Sequence, residues 1–410
     1  MSEQAADPAQ AVADLINGLP EARRRRLRRL FAQTEVPAGR VGMELQIGRI
    51  DDFGLTKNAI LSLTDICWPD SIRYGFVEIR DAIVTPFGFV IAGNQLIFNT
   101  QILPGGWMRG ADGGAPELVE RIFGHNFIHR LDIWNESCLL SVPEDLPEIA
   151  EPAFLFNSRL TCFNFAHFVH DTLIQAPTFR DCCEYLRQEA TPILVGPGFP
   201  HPVMPEIFRR AAGSAAPFFL RNRFFRVRRL FVPTTHFRPS NDAIARGAVV
   251  RLAQTLSASL QEFHAPTKRR LFISREDSGR GEDREPRFAN AQALQDALSK
   301  LGVEPVVVSR LGVEEYLRSF VNAELIVGLH GAGLTNVLLS DQPRVVEITV
   351  PGYPDWRSLA LFIETGMGAP FRRVRMAAPA GGVAEYDVAR IVEACEALLT
   401  APCPPVAPPL

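Results

Sequence analysis

Glu324-Leu325-Ile326-Val327-Gly328-Leu329-His330-Gly331-Ala332-Gly333-Leu334-Thr335-Asn336 is the stretch on which the reading of this chain turns. It starts as a short apolar run rich in branched residues, as a buried strand does, and breaks at a histidine set between glycines. Leu334, Val337 and Leu338 then resume helical spacing, so the stretch predicts a strand, a tight turn and a helix. A helix start offers backbone N–H groups and the positive end of the helix dipole, which suits a phosphate or diphosphate, and glycine lets such a ligand come close. The same residues would also make an ordinary glycine-rich turn with the histidine bonded to nearby backbone.

Outward from this turn, strands and helices alternate. Arg270 to Ser274, Pro305 to Val308, Leu325 to Leu329 and Arg344 to Ile348 read as strands. Helices are expected at Ala291 to Leu301, Glu314 to Val321, onward from Leu334, at Trp356 to Thr365 and at Tyr386 to Leu399. That order predicts a parallel, doubly wound sheet with right-handed crossovers. Arg275, His330 and Glu347 fall at or near the carboxyl ends of three strands, where open α/β sheets place their ligands. An arginine and backbone amides for a diphosphate, with a carboxylate for ribose hydroxyls, are what a nucleoside diphosphate needs. Taken singly, each residue also fits a surface salt bridge at a strand end.

Before that sheet, Tyr74 to Phe98 alternates short β-type runs with turns at Thr85 to Gly88 and Ala92 to Gln95, which predicts an antiparallel meander. Between Ala153 and Pro239, strands at 153–156, 193–195 and 227–232 alternate with helices near 163–174 and 204–212, and a long helix follows near 241–262. This predicts a first α/β unit with the meander appended. Asn164, His167 and Asp171 are spaced i, i+3 and i+7 and so share one helix face, bracketed by Phe165 and Phe168. A carboxylate or imidazole placed there could serve as general base toward a hydroxyl; a buried polar face satisfied by backbone is the plainer alternative.

The chain's 410 residues exceed the usual size of a single core, so at least two domains are expected. The boundaries read as a polar and basic helical segment 1–37, an N-terminal lobe 38–235, a C-terminal lobe 236–380, and a helix with a Pro-rich tail 381–410. A formal net charge of -3 makes no overall electrostatic case for nucleic acid. The seven cysteines form no C-x-x-C pair and read as reduced core thiols. With no run of eighteen apolar residues and no secretory leader pattern, a cytoplasmic protein is expected. Arg23 to Arg29 could rest on the inner face of an anionic membrane, or could simply face water. Residues 104–115 are glycine-rich and could form a lid or an ordinary loop. His125 and His129 lack the glutamate of a zinc-protease helix, and no D-x-D pair or Walker loop occurs, so no metal site is expected.

Taken together, Ile273-Ser274-Arg275, Arg287 to Asn290, His330 to Asn336 and Val346-Glu347, with Asn164-x-x-His167-x-x-x-Asp171 upstream, resemble glycosyltransferase family 61. The resemblance implies an α/β fold with two Rossmann-like lobes of GT-B type. A nucleoside-diphosphate sugar would bind the C-terminal lobe, a glycan or glycolipid acceptor would lie opposite, and transfer would invert the anomeric centre without metal or other cofactor. Bacterial relatives, to which a chain without a leader is similar, serve surface polysaccharide synthesis. On this resemblance Arg275, Asn290, His330, Gly331, Ala332, Gly333, Leu334, Asn336 and Glu347 line the donor site. Asn164 and His167 lie on the acceptor side, and Asp171, His167 and His330 carry the chemistry, with either Asp171 or His167 as base. Tyr316 stands where many members carry a glutamine, which removes a contact sometimes made there. The rival reading is a nucleotide-sugar or glycan-binding protein of the same fold that no longer transfers sugar. A nicotinamide-dependent oxidoreductase fits poorly, because Gly328-x-x-Gly331-x-Gly333 has the wrong spacing and comes late in the sheet.

Overall fold

A computed structural model describes residues 39–48, 61–62, 73–86, 88–97, 128–132, 137–156, 165–213, 216–221, 223–233, 243–274, 288–341, 343–350, 369–377 and 385–402. The Arg23 to Arg29 segment, the 104–115 loop, His125, Asn164, Arg275, Arg287 and the expected helix at 356–365 lie outside these residues.

In chain order the first strands are β1 (Arg40–Gly48), β2 (Leu61–Ser62), β3 (Arg73–Tyr74), β4 (Phe76–Val84), β5 (Val90–Ala92) and β6 (Gln95–Ile97). There follow β7 (Ile128–Asp132), β8 (Ser137–Pro143), β9 (Glu148–Ile149), β10 (Ala153–Leu155), β11 (Thr191–Leu194), β12 (Phe218–Phe219) and β13 (Phe225–Pro233). All but the β2–β3 pair join one sheet, ordered β12-β11-β10-β13-β4-β5-β6-β1-β8-β7, with β9 beside β13. Its β12-β11-β10-β13 part is parallel, and counted along the chain it has the 3-2-1-4 order of a doubly wound half. β4 pairs antiparallel with β13 and β5, and β5 with β6. β1, β7 and β8 were not anticipated from sequence.

The second sheet is built from β14 (Arg269–Ser274), β15 (Val303–Val307), β16 (Ala323–Leu329), β17 (Arg344–Thr349) and β18 (Phe371–Arg375). All five run parallel in the order β15-β14-β16-β17-β18. Leu271 to Ser274 and Leu325 to Gly328 are buried without interruption, as expected of strands covered on both faces. Along the chain the order is 2-1-3-4-5, so the connections reverse direction between β14 and β16, the place where doubly wound sheets open a crevice for ligands.

The helices are α1 (Ala176–Leu186), α2 (Val203–Ala212), α3 (Ala243–Ser259), α4 (Ala291–Ser299), α5 (Val313–Val321) and α6 (Val388–Thr400). α3 packs on α1, on α2 and on the helical turn at Ala332–Leu339 of the second sheet. One core therefore runs between the sheets, from Phe154, Phe179 and Phe208 through Leu252 and Leu256 to Ile273 and Phe320. Arg251 on α3 grips Asp181 on α1 with two hydrogen bonds of 2.7 and 2.8 Å, a fork that fixes the angle between the two helices. Among the described residues no helix is long and apolar enough to cross a membrane. None of Cys138, Cys182, Cys183 and Cys395 is in a disulfide.

Candidate functional site

Facing the first sheet's helices, residues 165–175 form an irregular helical segment instead of the regular helix that the spacing predicts. One α turn, Phe165–His167, passes into a π turn at Phe168–Thr172, then a 3₁₀ turn at Leu173–Gln175, before α1 begins. The π turn carries one extra residue and is the kind of insertion found at functional sites. Asp171 and His167 nevertheless meet: the His167 Nδ1 lies 2.9 Å from the Asp171 Oδ2. Gln175 donates to the Asp171 main-chain oxygen at 2.7 Å, bracing the turn. The His167 side chain is 41 % exposed and that of Asp171 22 %, so the imidazole is the outer member of the pair. One residue before Asp171, His170 is half-buried with its Nε2 shut off from solvent; loss of water, with His167 adding to it, pushes its imidazole down to about 3. At neutral pH it is uncharged.

In the second sheet His330 follows directly on β16, and its main-chain N–H donates to the Ile348 oxygen at 2.7 Å. Its Nδ1 lies 2.6 Å from the Glu347 Oε1, while Arg373 Nε donates to the Glu347 Oε2 at 2.7 Å. Ile273, Gly328, Glu347 and Arg373 form one row of paired positions across β14, β16, β17 and β18. Side chains in such a row share a face of the sheet, which is why the carboxylate and guanidinium meet. A carboxylate accepts and does not donate, so a bond to the Glu347 carboxylate takes its proton from His330 Nδ1.

Glu347, expected to meet ribose hydroxyls, is 0 % exposed, with both carboxylate oxygens turned inward onto His330 and Arg373. Other expected donor contacts are likewise redirected. Asn336 is buried; its Nδ2 donates to the Gly333 oxygen at 2.9 Å and its Oδ1 accepts from the Tyr316 hydroxyl. Leu334 belongs to the core. Asn290 spends its side chain on one backbone, donating to the Tyr386 oxygen at 2.8 Å and accepting from the Tyr386 N–H at 2.7 Å. Of the expected donor set, His330, Gly331, Ala332 and Gly333 are half-buried.

The expected α-helix after the turn is instead a 3₁₀ helix, Ala332–Leu339. Gly331 before it has φ 153° and ψ −175°, a conformation essentially confined to glycine. Gly333 has a different reason to lack a side chain: a Cβ there would come within 3.0 Å of the Ile273 Cγ2. That glycine serves close packing against β14.

Tyr316 on α5 is fully buried, and its burial pushes the phenol well above the ordinary range. Its ring lies 6.3 Å from Phe165 and 5.8 Å from His201. The Phe165–His167 turn packs directly on the Ala332–Leu339 helix, so the segments carrying the two histidine–carboxylate pairs are neighbours. Tyr316→Phe should leave the Asn336 oxygen without its donor and destabilise the protein by about 1–2 kcal/mol. Denaturant melts would read this, and an unchanged midpoint would remove the bond as a support of the turn.

Among the described residues no three His, Cys, Asp or Glu side chains converge as a metal-holding group would. Arg373, which meets Glu347, is not among the residues that the sequence singles out; its only local sign is the alternation of Phe371, Arg373 and Arg375 with Arg372 and Val374. Compared with models of protein families, residues 165–346 match the one described as Glycosyltransferase 61. No curated protein matches the chain.

Proposed function

We propose, from the premise that the chain belongs to glycosyltransferase family 61 through residues 165–346, that it moves a sugar from a nucleoside diphosphate to a hydroxyl of a glycan acceptor. The donor belongs to the half of the chain at 236–380 and the acceptor to the half at 38–235, in the manner of a GT-B enzyme. The observation that carries this reading is the packing of the His167 turn against the helix that follows His330. It puts a base candidate next to the crevice expected to hold the diphosphate.

The reaction is a single displacement with inversion and needs no metal. His167 Nε2 takes the proton of the acceptor hydroxyl, with Asp171 holding the opposite nitrogen. The acceptor oxygen bonds to the anomeric carbon as the bond from that carbon to the diphosphate oxygen breaks. The electron pair leaves with the diphosphate. His330 Nε2 and the amides of Gly331 to Gly333 meet the charge that grows there. The greater exposure of His167 favours the imidazole over Asp171 as the group that touches the acceptor. A role in bacterial surface polysaccharide synthesis, at the cytoplasmic face of the membrane, fits this chemistry.

A thermal-shift screen over nucleoside diphosphates and their sugars tests the reading. One of them should raise the melting temperature, since a ligand at about a hundred times its Kd stabilises by about 2.7 kcal/mol. Addition of glycan acceptors should then release nucleoside diphosphate. No shift with any member of the panel overturns the donor site; a shift without any release, even slow hydrolysis, marks a binding protein.

A further inference from the structure

We propose that His201, on the loop from β11 to α2, is an acceptor-binding residue: its Nε2–H donates a hydrogen bond to an oxygen of the acceptor sugar held beside the His167 turn. The inference rests on the acceptor side proposed above and adds to it a residue that belongs neither to the 164–171 face nor to the His330 turn.

β10 and β11 are parallel neighbours. The His167 turn and the His201 loop follow their carboxyl ends along the chain, the edge at which open α/β sheets meet ligands. The loop is fixed to the turn: Phe199 meets Phe168 of the π turn edge to face, ring centres 5.4 Å apart, and rests on Phe208 of α2 at 5.7 Å. Pro200 and Pro202, one on each side of the histidine, restrict the backbone further. The imidazole lies 5.8 Å from the Tyr316 ring, whose hydroxyl donates to Asn336 of the second half. His201 therefore stands where the two halves of the proposed site adjoin.

The hydrogen bonding of the ring decides what it can offer. The Val203 main-chain N–H donates to His201 Nδ1 at 3.3 Å, so the lone pair is on that nitrogen and the proton of the neutral ring is on Nε2. Loss of water at this half-buried place holds the imidazole below its ordinary range, which keeps the ring uncharged at neutral pH. Among the described residues nothing bonds to Nε2. Unlike the Nε2 atoms of His170 and His264, it is not sealed from solvent. A fixed N–H donor suits a sugar, whose hydroxyl and ring oxygens accept, and does not suit a general base, which needs a lone pair. The two roles are thereby divided: His167 takes the proton and His201 holds the sugar.

The test uses the full-length protein, ¹⁵N-labelled at histidine, with a panel of p-nitrophenyl glycosides as acceptor probes. They are titrated with and without the nucleoside diphosphate found in the screen, and read by long-range ¹H–¹⁵N NMR. The chain has eight histidines, so the His201 signal is assigned by its loss in both His201→Asn and His201→Gln. It should show an uncharged ring with the proton on Nε2, and at least one glycoside should move it. The two variants separate a sugar contact from a mere helix cap. Asparagine can put an oxygen where Nδ1 accepts from Val203 and has nothing in place of Nε2; glutamine does the reverse. His201→Asn should keep the melting midpoint, lose about three- to tenfold in affinity for that glycoside, as for one hydrogen bond, and leave nucleoside diphosphate affinity unchanged. His201→Gln should lower the midpoint and bind the glycoside within about twofold of wild type. In turnover, His201→Asn should raise the acceptor KM by the same factor with kcat and donor KM unchanged. A signal that no glycoside moves, a folded His201→Asn that binds the glycoside as wild type does, or a loss confined to the nucleotide overturns the proposal. Failure of the transfer reading would show separately, as no release of nucleoside diphosphate, and would leave the glycoside titration to decide the role of His201.

Discussion

Asp171→Asn lowers turnover by about a hundred- to ten-thousandfold while nucleoside diphosphate binding survives. The size of the loss follows from what the carboxylate holds. Asp171 Oδ2 faces His167 Nδ1 at 2.9 Å, so it fixes the imidazole with its proton on the inner nitrogen and its lone pair toward the acceptor. An asparagine of the same shape can offer an N–H to that nitrogen, which reverses the tautomer and leaves the outer nitrogen unable to accept. The local backbone should persist, because Gln175 braces the main-chain oxygen of residue 171 and not its side chain. His167→Ala should cost about as much, and the double variant little more, since residues acting as one unit do not add. Turnover at saturating donor and calorimetric titration of the nucleoside diphosphate separate the two effects. Full activity in Asp171→Asn, or losses that add in the double variant, would sink the pairing as the source of the base.

Glu347→Ala costs about 3–5 kcal/mol of stability, whether or not activity can be measured. The carboxylate lies with no exposed surface between two partners whose side chains are 14 % and 19 % exposed. Taking it away leaves the guanidinium and the imidazole without their carboxylate at a place with little exposed surface. Urea melts of the full chain measure the cost. A loss below about 1 kcal/mol would mean that the pair behaves like an ion pair in open solvent.

The two sheets differ in how much of them the amino acids announce. β14, β16 and β17 were legible because strands covered on both faces must be apolar along their whole length, and Leu271 to Ile273, Leu325 to Val327 and Val345-Val346 are such runs. β18 was not, because three arginines in five residues look like a solvated segment; only its pairing with Glu347 shows where one of them is spent. The His167–Asp171 pair was visible as a spacing of four, although the helix around it is not regular. Glu347 was placed at the correct strand end but expected to face outward, since direction at a strand end depends on the neighbouring strand. Asn290 and Tyr386 are too far apart in sequence for any local signal to announce the two bonds between them. The helix expected after His330 became a tighter 3₁₀ turn, where Gly333 lets it press onto Ile273.

The row from Ile273 through Gly328 and Glu347 to Arg373 also bears on how the protein is made. Glu347 leaves the ribosome well before the strand that carries its guanidinium. During synthesis the crevice can take shape around β14, β16 and β17 while the Glu347 carboxylate still lacks its guanidinium. The buried carboxylate is therefore matched late, when the outermost strand docks, and a nascent chain that has the glycine turn but not β18 should be folded in outline and less stable.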